Sequence, residues 1–208
     1  MPKSFKQLFY GCDIFKKKYV TGENNLMRSL SEEGQHPTTM LVGCCDSRVD
    51  PELILQCDPG DLFIVRNVAN LIPPYEKDQH NHGTSAALEY GICYLNVQHL
   101  IILGHSQCGG IQALNNPSNL QQNDFIGNWV KVNKVNVEAA TNNEELGQHS
   151  LYQSYENCLT FPWIAERVKQ NRLAIHLWYF DIARGQVLAY SFKDKKFHDL
   201  TENLLTET

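Results

Sequence analysis

No stretch of this sequence is long and apolar enough to be a transmembrane helix. Such a helix needs about 20 consecutive apolar residues, and the apolar runs here are only as long as buried strands. The segment Met1–Lys6 also lacks the apolar core that a signal peptide would carry. We therefore expect a cytoplasmic protein without a membrane partner.

Basic residues are too few to favour a nucleic-acid partner. The chain has 18 Lys and Arg against 23 Asp and Glu, which leaves a net charge of −5. Binding a phosphate backbone requires a basic face. The one basic run, Lys16-Lys17-Lys18, is typical of a solvated helix face. We expect no contact with nucleic acid.

A disulfide framework is not indicated either, because the cysteine count of seven is odd. Four cysteines have no matching ligand residues beside them, and we expect these to be buried as small apolar side chains. They are Cys12, Cys57, Cys93 and Cys158. The remaining three lie in two short motifs that carry the chemistry.

The 208 residues show no internal repeat and no sign of a second domain, so we expect a single domain. It comprises a helical arm at 1–33, a core at 34–192 and a tail at 193–208. The arm shows two helical apolar periods between residues 5 and 33. The tail from Lys193 is charged, which suggests frayed chain or a short surface helix.

Apolar strands alternate with helical segments along the core, which predicts an α/β fold. We expect a mostly parallel central sheet of four strands plus an antiparallel edge strand, with helices on both faces and the N-terminal helical arm. The predicted strands are Met40–Gly43, Leu62–Arg66, Leu100–Leu103, Leu173–Phe180 and, after a tight turn, Val187–Phe192. We also predict a helix over Phe125–Ala140 and a polar junction at Asn142–Gln148.

Two of these strands lead directly into residues that bind soft metals. The first leads into Cys44, and the second leads into His105 and, three residues later, Cys108. Ligand sites in open parallel sheets lie at the carboxyl ends of strands. Thiolates and imidazole suit zinc, and three protein ligands leave a fourth position for water, as in catalytic zinc sites. The alternative, three buried side chains without a metal, is disfavoured by their joint occurrence in two strand-end motifs.

Cys45 is not assigned as a ligand, because successive side chains on a strand point to opposite faces. Asp46 and Arg48 lie beside the first ligand, at a spacing that allows a bidentate ion pair. Such a pair would keep Asp46 ionised and able to orient a nucleophile on the metal. The alternative for these two residues is an ordinary ion pair near the surface.

The pattern Cys44-x-Asp46-x-Arg48, followed about 60 residues later by Gly104-His105-Ser106-x-Cys108-Gly109-Gly110, resembles the β-class carbonic anhydrases. The likeness covers roughly residues 34–192 and is closest to the plant-like branch. It continues through Phe63–Tyr75, Ala86–Tyr90, Asp124–Ile126 and Leu159–Pro162. It implies reversible hydration of carbon dioxide to bicarbonate and a proton by hydroxide on zinc.

The resemblance also implies a substrate pocket and a subunit contact. Relatives in the plant-like branch line the pocket with Gln, Phe, Val and Tyr, which fall here on Gln35, Phe63, Val68 and Tyr90. Gly109 adds a place where backbone can approach the substrate. Family members are dimers or larger assemblies, and the first helix lies across the partner.

Some bacterial relatives bind an inhibitory bicarbonate between a Trp, an Arg and a Tyr. The corresponding positions are Leu41, Arg66 and Phe180, so only the arginine is retained. Leu41 and Phe180 supply no hydrogen-bond donor, and a buried anion without partners is costly. We expect this regulatory pocket to be absent and Asp46 to remain paired with Arg48.

Two other functions fit the same motifs. One is a hydrolase of carbon disulfide or carbonyl sulfide on the same scaffold, and the other is a zinc-binding or thiol-based sensor without catalysis. No proton shuttle stands out. His36, His80 and His82 are candidates by proximity, although each is more simply a surface histidine.

Overall fold

The computed structural model describes residues 3–22, 25–78, 82–116 and 125–201. The strands are β1 (Thr39–Cys44), β2 (Leu62–Asn67), β3 (His99–His105), β4 (Ala174–Asp181), β5 (Gln186–Ser191) and β6 (Lys196–Asp199). The α-helices are α1 (Phe5–Lys16), α2 (Leu26–Glu33), α3 (Pro51–Leu55), α4 (Gly83–Glu89), α5 (Gly109–Asn115), α6 (Phe125–Val130), α7 (Asn143–Leu159) and α8 (Pro162–Lys169). Wider π-helical turns extend α1 over Lys17–Thr21 and α4 over Tyr90–Tyr94, and short 3₁₀ turns occupy Val68–Asn70 and Val137–Ala139.

The six strands form one sheet in the order β2-β1-β3-β4-β5-β6. The first four are parallel, and β5 and β6 are antiparallel. This confirms the predicted α/β fold. The central register places Val42 between Val65 and Ile102, so β-branched side chains line up across three strands.

The interpretation of the tail as frayed chain or a short surface helix was wrong, because Lys196–Asp199 forms strand β6. Phe197 anchors this strand, with its ring centroid 5.2 Å from that of Tyr190 and 6.1 Å from that of Tyr179. A single aromatic residue among charged neighbours shows no periodicity. The strand therefore arises from tertiary packing on β5.

The two faces of the sheet are covered to different extents. On one face, Met40, Val42 and Ile102 are fully buried in a large apolar cluster with Leu151 of α7 and Ile164 of α8. On the other face, a smaller cluster contains the buried residues Leu41, Ile101, Leu103 and Phe180 and the half-buried Ile54 and Leu55 of α3. Helices therefore contact both faces, as predicted.

The two predicted arm helices are present as α1 and α2, and they contact the rest of the chain mainly at their carboxyl ends. Tyr19 donates a hydrogen bond to Asp58, and Leu30 packs against Gly60. No residue of α1 is buried. Apolar side chains along it are exposed, among them Phe5 at 76% and Phe9 at 63%. Cys12 is likewise exposed and Cys57 and Cys93 are half-buried, whereas Cys158 is buried as expected.

Helix boundaries in the second half of the chain differ from the prediction. The helix predicted over Phe125–Ala140 ends at Val130, and only the 3₁₀ turn Val137–Ala139 follows it. The predicted polar junction is instead the first part of α7. This helix begins early because the Asn142 side chain accepts a hydrogen bond from the Glu145 N–H at 2.9 Å, which is an N-cap.

No helix within the described ranges combines the length and the apolar character that crossing a bilayer requires.

Substitution of Leu151 tests how the end of the sheet that carries His105 is supported. Its side chain is fully buried against Gly104, one residue before His105. We expect Leu151→Ala to lower the free energy of unfolding by about 2–5 kcal/mol, because it leaves a cavity in the core. Leu53→Ala, at a position that is 73% exposed on α3, is the control and should change stability little. Denaturant unfolding of both variants measures this, and equal effects would contradict the packing described.

Candidate metal centre

Strands β1 and β3 are parallel neighbours, so Cys44 and His105 at their carboxyl ends lie at the same edge of the sheet. Cys108 joins them from the position just before α5. The two sulfur atoms are 3.9 Å apart, and the three side chains are buried with their ligand atoms all within 4.8 Å of one another. Cys45 is exposed and is not part of this group, as expected.

The imidazole of His105 is oriented for ligation. Its Nδ1 lies 2.9 Å from the Ser106 carbonyl oxygen, which makes Nδ1 the protonated nitrogen. Its Nε2 is buried and has no hydrogen-bond partner among the described residues. A buried nitrogen lone pair without a partner is costly in a metal-free protein. The three side chains therefore fit a metal ion, with Nε2 and two sulfurs as its ligands.

The two thiols are strongly coupled. The pKa of Cys44 is lowered, chiefly because the Cys108 thiol hydrogen-bonds its sulfur. The pKa of Cys108 is raised by the same contact with Cys44 and by burial. One proton is thus retained between the sulfurs in the metal-free pair. A divalent cation would displace it, because metal ligation requires thiolates.

The predicted ion pair between Asp46 and Arg48 is present and bidentate. Arg48 Nε donates to Asp46 Oδ1 at 2.9 Å, and Arg48 Nη2 donates to Asp46 Oδ2 at 2.7 Å. The Arg48 backbone N–H also donates to Oδ1 at 3.0 Å. These contacts hold the pKa of Asp46 far below its usual range, chiefly through the Arg48 side chain. The carboxylate is therefore ionised at any physiological pH.

Arg48 also connects the two ligand-bearing loops. Its Nη2 donates to the Gln107 carbonyl oxygen at 3.1 Å, so one guanidinium contacts both the Cys44 loop and the loop between His105 and Cys108. Strand β4 also holds the loop between His105 and Cys108, because the Ser106 N–H donates to the Phe180 carbonyl oxygen at 2.9 Å. Gln107 itself has a left-handed φ of 56°, which turns the chain back toward Cys108.

Arg66 supports the loop that follows Cys44. It also occupies one of the three positions that form the regulatory pocket of some bacterial relatives. Its guanidinium donates to the carbonyl oxygens of Cys44, Asp46 and Val49 at 2.8–2.9 Å and pairs with Asp50 at 3.1 Å. The two neighbouring positions hold the buried apolar side chains Leu41 and Phe180. Arg66 thus has protein partners on each of its three nitrogens.

A turn lies directly beside the sulfurs, in a segment that the resemblance included but whose conformation the sequence did not predict. It comprises Val68–Asn70, with left-handed φ values of 64° at Ala69 and 49° at Asn70. Ala69 is buried in one cluster with Cys44 and Cys108. Trp129 of α6 donates its indole N–H to the Val68 carbonyl oxygen at 2.7 Å. Little in the sequence indicated this turn or its contact with Trp129. Alanine rarely adopts a left-handed conformation, and an isolated Trp suggests ordinary packing.

The five predicted pocket residues fall at two ends of the sheet. Val68 and Gly109 lie at the metal end, where Val68 packs against Gly110 and the space beside Gly109 is open. Phe63 lies four residues before Asn67 on β2, which is about 13 Å at the usual rise per residue. The ring of Tyr90 lies 5.7 Å from that of Phe63, at the same distant end. Gln35 precedes β1 and is exposed.

The histidines considered as proton shuttles show ordinary surface contacts. His36 is exposed and lies 3.0 Å from the Glu33 carbonyl oxygen. His82 lies 2.6 Å from a carboxylate oxygen of Asp78. His80 lies outside the described residues, as does Asp124 of the resembling segments.

Comparisons with known proteins agree with this geometry. A family model described as "Carbonic anhydrase" matches residues 39–187. The chloroplastic β carbonic anhydrase 5 of Arabidopsis thaliana is 39% identical, over 80% of this chain and 58% of the plant protein. The solved structure of the β-carbonic anhydrase CcaA is 33% identical with a TM-score of 0.85, covering 93% of this chain and 98% of the other. One of two tetrameric β-carbonic anhydrases from Sordaria macrospora is 26% identical with a TM-score of 0.76, covering 89% of this chain and 95% of the other.

Each of the three proposed ligands can be tested by substitution. We expect Cys44→Ser, His105→Ala and Cys108→Ser each to lose bound metal, because two remaining protein ligands hold a metal ion poorly. Metal content of the purified variants by atomic spectrometry measures this. Cys45→Ser is the matched control and should retain metal at the wild-type level. Full occupancy in any of the first three variants would remove that residue from the ligand set.

Proposed function

Because this chain belongs to the carbonic anhydrase family and catalyses the hydration of carbon dioxide, we propose that its metal is zinc and that the metal end of one chain is completed by a second copy. The observation that carries the zinc assignment is the buried group of Cys44, Cys108 and the unpartnered Nε2 of His105. Two sulfurs and one imidazole nitrogen are a donor set that zinc prefers, and hard cations such as Mg²⁺ do not.

Zinc in such a site supplies a water whose pKa falls to ~7, and hence a nucleophile at neutral pH. The protein's contribution is to position what surrounds it. We assign Asp46 to accept a hydrogen bond from the attacking water, because its carboxylate is ionised and Asp46 follows Cys44 by only two residues. We assign Arg48 to fix the Asp46 carboxylate, using the three hydrogen bonds described above.

We assign Val68 and Gly109 to the wall of the carbon dioxide site at the metal end. Val68 as a whole residue is 37% exposed, and an apolar wall suits a nonpolar gas. The Gly109 position has no atom within 4 Å of where a Cβ would stand, so substrate can approach the backbone. The remaining three predicted pocket residues, Gln35, Phe63 and Tyr90, lie too far from this metal end to act on it.

We propose that Gln35, Phe63 and Tyr90 complete the site of a second copy of the chain. Tyr90 is 46% exposed although it is aromatic, and helix α1 exposes a row of apolar side chains. Both features support a subunit contact, because soluble proteins rarely leave such surfaces uncovered. The Sordaria relative is tetrameric by name. The chain's own assembly is then a dimer or a multiple of one.

Neither alternative function has a specific observation in its favour. The bidentate Asp46–Arg48 pair is unnecessary in a non-catalytic sensor. The relatives described above are named as carbonic anhydrases and not as hydrolases of carbon disulfide or carbonyl sulfide. We further propose a single domain with arm 1–33, core 34–192 and tail 193–208. A cytoplasmic location and the absence of nucleic-acid and membrane partners stay predictions from the composition.

The roles assigned to Asp46 and Arg48 predict that removing either side chain lowers turnover without loss of the metal. We expect Asp46→Ala and Arg48→Ala to keep zinc but to hydrate carbon dioxide more slowly, on the order of a hundredfold, as when one positioned electrostatic partner is removed. Stopped-flow hydration with a pH indicator, and zinc content on the same sample, provide the measurement. Arg184→Ala, which breaks an exposed ion pair with Asp181 outside the site, should leave turnover unchanged. Near-normal rates in both site variants would make the pair structural only, and zinc without activity in the wild type would favour the sensor.

The shared pocket predicts complementation between two inactive chains. Asp46→Ala and Tyr90→Ala alter opposite ends of one chain, so a mixed dimer contains one intact site and one doubly altered site. If dimers form at random in a two-fold arrangement, co-expression should restore about a quarter of wild-type activity. Separately purified variants mixed without exchange are the control. No restoration in verified mixed dimers would place all pocket residues within one chain.

A further inference from the structure

The strand that carries His105 continues its pairing with β4 for one residue beyond its end. In the parallel register His105 lies opposite Phe180, so the next residue, Ser106, lies opposite Asp181. A residue that faces a parallel neighbour bonds to both residues that flank its opposite number: its N–H donates to one, and its carbonyl oxygen accepts from the other. Ser106 makes the first of these bonds, since its N–H donates to the Phe180 carbonyl oxygen at 2.9 Å.

A different atom of Ser106 makes the second bond. The parallel pattern assigns the Ile182 N–H to the Ser106 carbonyl oxygen, but this N–H donates to the Ser106 hydroxyl oxygen at 3.0 Å. The side chain thus takes the place of its own carbonyl in the pairing. At the other end of the same strand pair the ordinary arrangement is present, because the Ala174 N–H donates to the Gln98 carbonyl oxygen at 2.9 Å.

The carbonyl that the hydroxyl replaces contacts a proposed metal ligand. The Ser106 carbonyl oxygen accepts the Nδ1–H of His105 at 2.9 Å, which leaves the lone pair on the buried Nε2. A carbonyl directed at Ile182 would lie in the plane of the sheet, whereas side chains stand out of that plane. It would therefore point away from the imidazole. The hydroxyl allows one residue both to pair with β4 and to orient His105.

We propose that Ser106 is a positioning residue for the metal centre: its hydroxyl accepts the Ile182 N–H in place of the carbonyl, so that the Ser106 carbonyl oxygen is free to fix His105 with its proton on Nδ1. The inference deepens the proposed function and rests on His105 being a zinc ligand through Nε2. Without the hydroxyl, the Ile182 N–H loses its acceptor, and an unpaired backbone donor inside the protein is costly. The Ser106 carbonyl then turns toward Ile182 and releases the imidazole.

The test removes only the hydroxyl. In Ser106→Ala we expect zinc affinity, measured by competition with a chromogenic chelator, to fall roughly tenfold, since loss of the partner of a ligating histidine typically costs 10–100-fold. The second readout is the nuclear magnetic resonance signal of the His105 ring proton in the zinc-loaded protein. In the wild type we expect this proton on Nδ1 and protected from exchange with water by its hydrogen bond. In Ser106→Ala we expect the signal to be lost through exchange.

Two further variants separate positioning from general stability. Ser154→Ala makes the same change on α7, where the fully buried Ser154 hydroxyl also accepts a backbone N–H, from Ile72 at 3.3 Å. It should lower the free energy of unfolding in denaturant but leave zinc affinity and the His105 proton signal at wild-type values. Ser106→Thr keeps a hydroxyl at the same position and should retain both the affinity and the signal.

The outcomes are distinguishable from failure of the proposed function. If the zinc-loaded wild type carries the His105 proton on Nε2, the inference is overturned without any variant. If Ser106→Ala keeps both its zinc affinity and the protected proton, or if Ser154→Ala changes these readouts equally, the Ser106 hydroxyl has no positioning role and the inference is again overturned. If zinc binding by the wild type does not depend on His105, the proposed metal site itself fails, and the inference fails with it.

Discussion

The rest of this structure depends on holding two sulfur atoms 3.9 Å apart in a buried place. Two thiolates at that distance repel each other, and burial removes the water that would screen them. In the metal-free pair, the retained proton relieves the repulsion, which is why the pKa values of Cys44 and Cys108 move in opposite directions. A divalent cation removes the same repulsion more completely. The site is thus built for an ion, and its surroundings are arranged around that charge.

Two arginines organise these surroundings without entering the ligand set. Arg66 donates to the carbonyl oxygens of Cys44, Asp46 and Val49, which holds the backbone of the loop after Cys44 in place. Arg48 joins the Cys44 loop to Gln107 and keeps Asp46 ionised. Arginine suits both tasks because its planar fork donates several hydrogen bonds in fixed directions. Leu41 and Phe180 are buried and apolar, so the interior at this edge of the sheet offers no further hydrogen-bond donor from their side chains.

In the function we propose, the two ends of the sheet belong to the sites of different copies of the chain. Ligands gather where parallel strands end, while Phe63 and Tyr90 lie where those strands begin. The distance between these two ends of the sheet is larger than a site for carbon dioxide. In the assembly we propose, a second chain brings these two ends together and covers the exposed apolar side chains of α1. Assembly and catalysis are therefore linked in the function we propose.

Much of this protein could be predicted from its sequence, because the relevant signals are local. Apolar runs indicated the strands β1 to β5, and residue types at strand ends indicated the group of Cys44, His105 and Cys108 and the Asp46–Arg48 pair. The signals that failed were equally physical. Strand β6 depends on one phenylalanine packing on β5, and α7 begins at an asparagine cap inside a polar segment.

Only the tertiary structure decided which distant residues meet. Nothing local in the sequence relates Trp129 to Val68, or Gly110 to Ala69, because contacts across 61 or 41 positions depend on how whole elements pack. The strained turn exists because those contacts outweigh the backbone preference of alanine. Likewise, the resemblance predicted one pocket containing Gln35, Phe63, Tyr90 and Val68, but strand direction puts the first three and Val68 at opposite ends of the sheet. Residue types and their spacing alone determined which chemistry to expect, and packing determined which residues lie together, because the direction of each strand fixes the end of the sheet that its residues occupy.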